Sequence, residues 1–234
     1  LGGPDSPEAV QPFLFNLFFD PAIFRVATPI RWLLARLISS RRAPIAREIY
    51  QEMGGGSPLL PNTEAQARAL TAALQEKGLE DLRVFIAMRY WHPRAAATAR
   101  DVAAYGPDQV ILLPLYPQFS TTTSASSLQE WAKESKRAGL TAPSRTVCCY
   151  PVENGFVAAV AEGLRSALRA VDHPKPPRVL FSAHGLPKKI IEQGDPYQWQ
   201  VEQSVGAVLE HLGEVKLDWQ ICYQSRVGPL EWIG

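Results

Sequence analysis

Val179-Leu180-Phe181-Ser182-Ala183-His184-Gly185-Leu186-Pro187 decides how this chain is read. An apolar, β-prone run stops at a small-His-Gly turn. A strand ending there delivers one imidazole to the C-terminal end of a parallel sheet, where open α/β sheets bind their ligands. Imidazole binds divalent metals and moves protons near neutral pH. Ala183 and Gly185 leave room for close approach to the ring. From these residues alone the competing reading of His184 is a core or loop histidine satisfied by hydrogen bonds.

Outward from that stretch the pattern alternates between two periods. Strand-like runs at 82–87, 109–113, 145–150, 178–182 and 219–223 are separated by helical patterns at 93–104, 124–136, 152–171 and 196–212. Alternating β and α with near-continuous apolar strands predicts an α/β protein whose parallel sheets are covered on both faces. Domain size favours two Rossmann-like halves, with a break near Tyr150-Pro151: residues 1–150, then a partial second domain at 151–234. The abrupt opening at Leu1-Gly2-Gly3-Pro4 and the turn-rich close read as an internal fragment, so the second domain is expected to be incomplete.

Four helices are predicted ahead of the first strand. Ser6-Pro7-Glu8 starts one, Thr28-Pro29 a second, and a third runs over 44–53 into Gly54-Gly55-Gly56. Thr63-x-x-Gln66 reads as a capping box for the fourth, stopped near Gly78. In the first two, Phe13, Phe15, Phe18, Phe19, Phe24, Trp32, Leu33, Leu34, Leu37 and Ile38 are interleaved with Arg25, Arg31, Arg36, Arg41 and Arg42. This is either a buried helical hairpin or an exposed apolar lip over 13–38 with basic edges. Such a lip suits a large apolar ligand or an anionic bilayer surface.

The 234 residues are 46% hydrophobic and 20% charged, with a net charge of +1, so no basic field argues for nucleic acid. Three cysteines, with Cys148 and Cys149 adjacent, make neither a disulfide framework nor a spaced zinc motif, and a reducing cytoplasm is expected. No charged-then-apolar leader pattern opens these residues.

Other strand-end loops carry chemistry of one kind. In Met88-Arg89-Tyr90-Trp91-His92-Pro93, Arg89 and Tyr90 suit a carboxylate and the face of a flat ring, or else a strand-end salt bridge with packed aromatics. Tyr116-Pro117-Gln118-Phe119-Ser120 leads into hydroxyls at 121–123 that cap the next helix or help it bind an anion. Gly54-Gly55-Gly56-Ser57-Pro58 follows a helix and lacks the Lys of a P-loop, which favours a tight turn close to a ligand. Arg41-Arg42, Tyr50 and Ser57 read as carboxylate anchors and polar edges, or as a solvated basic pair. Gln224-Ser225-Arg226-Val227-Gly228-Pro229, with Trp232, forms another candidate wall. Together these loops suit a flat, apolar, acid-bearing ligand and a metal.

With Gly2-Gly3-Pro4, Arg41-Arg42-Ala43-Pro44 and Gly194-Asp195-Pro196-Tyr197 added, this ordered set of blocks resembles the ferrochelatase family over essentially the whole chain. Residues 54–70 look like a proteobacterial member. The resemblance implies a lyase that inserts Fe2+ into protoporphyrin IX, and two Rossmann-like domains with the porphyrin in a cleft between them. It implies that His184 is the essential histidine, as iron ligand or as acceptor of pyrrole protons. It implies that Arg42, Tyr50 and Ser57 line the porphyrin site and that Leu1 sits against the macrocycle, with Arg89, Tyr90 and Tyr116 nearby. It also implies a cytoplasmic protein, peripheral on the inner membrane through the lip.

Two departures qualify the match. The family's acidic partner, in a Ser-x-His-x-Glu-Thr-Leu stretch, falls beyond Gly234, which leaves this fragment without the carboxylate expected to face His184. Some relatives hold an iron–sulfur cluster through cysteines, one of which falls where this chain has Thr121. No permanently bound cofactor and no cluster are therefore expected, with Fe2+ as substrate. Competing readings are a chelatase for coproporphyrin or another metal such as cobalt, a porphyrin carrier without catalysis, and a solute-binding fold.

Overall fold

A computed structural model describes the chain except at residues 22, 25, 173–176, 214–216 and 227–229. Arg25 of the lip and Val227-Gly228-Pro229 of the last loop thus lie outside the described residues. The elements run α1 (Val10–Phe18), α2 (Thr28–Glu52), α3 (Leu59–Glu76), α4 (Ala95–Tyr105), β1 (Val110–Leu112), α5 (Ser124–Arg137), β2 (Ser144–Thr146), α6 (Asn154–Ala170), β3 (Arg178–His184), α7 (Lys188–Glu192), α8 (Tyr197–Leu212) and β4 (Asp218–Gln224). Two compact units result, one of Leu1–Val110 with Ser126–Ser144, the other of Ile111–Ala125 with Arg145–Gly234.

In the first unit α1 packs on α2, and Val10, Phe13, Leu14, Ala43 and Tyr90 form the core. Ala35, Ser39 and Ala43, spaced by four, are the buried residues of α2. Their small side chains let the two helices approach closely. The second and third expected helices are one, because α2 runs through Pro44. Pro44 and Ser40, four residues before it, are both exposed. Water can therefore satisfy the carbonyl that the missing N–H leaves unbonded. The fourth helix starts earlier than its expected capping box. Pro58, at φ −75°, holds the N-cap position, and the Leu59 amide donates to Ser57 Oγ at 3.3 Å. Thr63 instead turns its hydroxyl back to the Leu59 carbonyl at 2.7 Å. Gly78 ends the helix at φ +83°, as expected of a C-terminal glycine.

The lip divides between its two readings. Phe13 and Leu14 of α1 are buried, while Ile30, Trp32, Leu33 and Leu37 of α2 are exposed, Leu33 at 62%. Arginines stack on this surface: Arg31 over Phe19 at 5.2 Å and Arg36 over Trp32 at 5.5 Å. No described helix is long and apolar enough to cross a membrane. The expected strand at 82–87 forms no ladder among the described residues. Its nearest pairing is a bridge from Met88 to Arg94. Strand propensity is realised only where a partner strand is available.

In the second unit β3 and β4 pair in parallel from Arg178↔Asp218 to His184↔Gln224. This is the predicted strand-helix-strand unit, with α8 in the connection. Val157 and Ala161 of α6 meet Val208 and Leu212 of α8, and Phe181 of β3 packs against them. Period-2 alternation then fixes the other face: Arg178, Leu180, Ser182 and His184 are exposed. The sheet is thus covered on one face rather than both among the described residues. β1 and β2 are shorter than expected and pair in a second two-stranded sheet.

Candidate active site

His184 is the last residue of β3 and lies on its open face, not among core side chains. Its Nδ1 is 2.7 Å from the Gly185 carbonyl oxygen. A carbonyl only accepts, so Nδ1 is the donor in this contact, and the neutral tautomer that makes it keeps its lone pair on Nε2. That tautomer presents a base or metal ligand at the C-terminal edge of the sheet. Gly185 is required there by close approach. A Cβ would lie 3.0 Å from the Gln224 carbonyl oxygen and 3.4 Å from Trp232 Cε3. Beside this turn Lys188, Arg226, Leu230, Glu231 and Trp232 line an open pocket of about 510 Å³. Lys188 and Glu231 are paired across it.

Tyr116, on the loop leaving β1, is half-buried. The loop is held from one side by the Tyr150 amide, which donates to the Pro117 carbonyl at 2.8 Å, and by the Tyr150 hydroxyl, which donates to the Pro114 carbonyl at 3.0 Å. Burial raises the pKa of the Tyr150 phenol, which keeps it a donor.

The remaining predicted residues belong to the first unit. The Tyr90 amide donates to the Leu1 carbonyl at 2.8 Å, which sets Leu1 against the 88–92 turn. The Ser57 amide donates to the Pro4 carbonyl at 2.7 Å. The Gly54-Gly55-Gly56 turn does approach backbone closely, and its neighbour is the Asp5 segment. A Cβ on Gly56 would lie 2.7 Å from the Asp5 carbonyl oxygen. Gly56→Ala should therefore destabilise the protein by about 1–3 kcal/mol, read as a fall in the denaturant midpoint. Tyr50 packs at the edge of the α1–α2 core, and Arg42 lies over the Phe18 ring at 5.8 Å.

Arg89 and Tyr90 converge on an acid that the sequence reading missed. Arg89 Nη2 is 2.7 Å from Asp20 Oδ2, Arg89 Nη1 is 2.5 Å from Glu130 Oε2, and the Tyr90 hydroxyl donates to Asp20 Oδ2 at 2.7 Å. Burial alone would lower the Arg89 pKa, but the Glu130 hydrogen bond and the Asp20 charge more than reverse this. Burial first, then the Asp20 hydrogen bond, pushes the Tyr90 phenol well up. The salt-bridge alternative weighed for this loop describes these contacts. Asp20 is the lone acid in the Phe13–Phe24 stretch, a signal that was available in the sequence.

A ferrochelatase family model matches residues 1–234. The ferrochelatase of Caulobacter vibrioides is 57% identical over 236 residues, covering 100% of this chain and 67% of that protein. That of Phenylobacterium zucineum is 55% identical over 235 residues with the same shares, and that of Wolbachia pipientis wMel is 48% identical over 233 residues, covering 74% of its length. The chain belongs to the ferrochelatase family, metal-chelating lyases that make haem by metal insertion.

Proposed function

We propose that the protein inserts Fe2+ into protoporphyrin IX to form protohaem, with His184 as the group that takes pyrrole protons or binds the arriving iron. The observation that carries this is the His184 imidazole at the open C-terminal edge of a parallel strand, with Nδ1 turned to the Gly185 carbonyl and Nε2 left as the nitrogen that can meet a proton or a metal. Metallation releases two pyrrole protons per Fe2+ bound, so a neutral base beside the ring is what the reaction requires. Bending the macrocycle out of plane exposes its nitrogen lone pairs, and binding energy from flanking walls can supply that strain. Leu1, Arg42, Tyr50, Ser57, Arg89, Tyr90 and Tyr116 are the proposed porphyrin-lining residues, with Arg42 the anchor for a propionate.

Iron is substrate in this scheme, with no permanently bound cofactor. The donors at Thr121 do not fit an iron–sulfur cluster. Its hydroxyl is engaged by the Asp195 carboxylate at 2.6 Å, whereas such clusters are held by thiolates. A cytoplasmic protein resting on the inner membrane through α2 is proposed from the exposed Ile30, Trp32, Leu33 and Leu37 beside Arg31 and Arg36.

Turnover of the full chain with protoporphyrin and coproporphyrin, each offered Fe2+, Co2+ and Zn2+, tests the assignment. Preference for protoporphyrin with Fe2+ is the expected result. Preference for coproporphyrin or cobalt would transfer the protein to another chelatase specificity, and tight porphyrin binding without insertion of any metal would make it a carrier.

A further inference from the structure

The molecule holds a second buried carboxylate that the proposed chemistry does not use. Asp195, in the turn between α7 and α8, is 6% exposed. Its Oδ2 accepts from Ser120 Oγ at 3.0 Å, the Thr121 amide at 2.7 Å and Thr121 Oγ1 at 2.6 Å. Its Oδ1 accepts from the Tyr197 amide at 3.0 Å. The first three partners belong to the loop that carries Tyr116. The fourth is the amide of Tyr197 at the start of α8, and the Asp195 amide itself donates at 3.3 Å to the Ile190 carbonyl of α7, the helix that leaves the β3 exit turn. Along α8 the same docking continues. Gln200 Oε1 accepts from the Phe119 amide at 2.6 Å, and Gln118 Nε2 donates to Ser204 Oγ at 2.8 Å.

We propose that Asp195 is a positioning residue for metallation: its carboxylate locks the β1 exit loop, with Tyr116, into register with the β3 exit turn, with His184. This rests on the chelatase reading of His184 and Tyr116. The chemistry of the partners explains why an acid stands here. Asp195 meets four donors, and two of them are backbone amides that cannot be turned into acceptors. An Asn would set its NH2 against one of those amides. A carboxylate accepts at both ends, and its charge strengthens each bond. A buried acid so fully satisfied holds two loops at one separation, and misplacing catalytic groups by an ångström costs far more in rate than in binding.

The test uses Asp195→Ala, Asp195→Asn, Thr121→Val and Thr121→Ser in the full chain. Rates are normalised to porphyrin-binding sites counted by fluorescence, which removes the unfolded fraction. Asp195→Ala should lower kcat per site by about tenfold or more while the porphyrin Kd stays within about threefold. Thr121→Val should cost about threefold, Thr121→Ser should restore the wild-type rate, and Thr121→Val should add nothing in the Asp195→Ala background. Hydrogen exchange should quicken in both variants not only over 115–123 but also over 184–197. An unchanged kcat per site in Asp195→Ala, or multiplying effects of the two substitutions, overturns the proposal. If Asp195→Ala does not fold, the Thr121→Val and Thr121→Ser pair decides it. If the wild-type chain inserts no metal, the chelatase reading has failed. The latch is then judged on exchange alone, and quickening confined to 115–123 overturns it.

Discussion

Replacing His184 with Ala in the full chain should abolish metal insertion and leave porphyrin affinity within about threefold, because the change removes a transition-state group and little binding surface. A positioned proton acceptor contributes about 10²–10⁴-fold, so residual turnover should fall by at least that range. The geometry makes the substitution clean. His184 ends β3 on its open face, and no described core cluster includes it. Its Nδ1 contact runs to the adjoining Gly185 carbonyl, so the fold loses one local hydrogen bond. The β3–β4 ladder is made by backbone and survives. Steady-state insertion of Fe2+ or Zn2+, with porphyrin binding followed by fluorescence quenching, reads both arms. Normal turnover in His184→Ala would remove the imidazole from the mechanism. Loss of porphyrin binding together with turnover would make it a binding group instead.

The parts of the fold legible in the sequence are those set by local pattern. The 178–182 run and its parallel partner at 219–223 could be read from period and composition, and their register places His184 where an α/β sheet holds ligands. What escaped depends on surroundings. Pro44 reads as a helix boundary, yet Ser40, whose carbonyl it leaves unbonded, is exposed to water, and α2 runs on through it with Ala35, Ser39 and Ala43 buried along one seam. Thr63 and Gln66 match a capping pattern, but Ser57 and Pro58 start the helix before they can act. Residues 82–87 have strand composition and find no ladder among those described. In the candidate site His184 announced itself because an imidazole at a strand end has few bland roles. Arg89 was legible as a charge needing a partner, but which partner was not, since Asp20 lies 69 residues away along the chain. Asp195 was visible as an acid ahead of a helix, whereas its grip on Ser120 and Thr121 appears only in three dimensions.

Arg89→Met should be the most destabilising single change at the candidate site, lowering unfolding free energy by about 3–5 kcal/mol, the cost of leaving buried charge without its partner. The Asp20 side chain is only 3% exposed and that of Arg89 13%, so water does little to screen the pair. With the guanidinium gone, Asp20 keeps its bond from the Tyr90 hydroxyl, and among the described residues Glu130 keeps Arg94 at 3.8 Å. Met fills most of the volume, so the loss measured is chiefly electrostatic and not a cavity. A second variant separates the two causes. Asp20→Asn removes the stranded charge, so Arg89→Met with Asp20→Asn should be more stable than the sum of the single losses predicts, by about 1 kcal/mol or more. Tyr90→Phe, which deletes one neutral donor to the same oxygen, should cost about 1–3 kcal/mol. Chemical denaturation of the four variants checks the ranking. An unshifted midpoint in Arg89→Met would mean that the ion pairs of Arg89 with Asp20 and Glu130 add nothing to the stability of the fold.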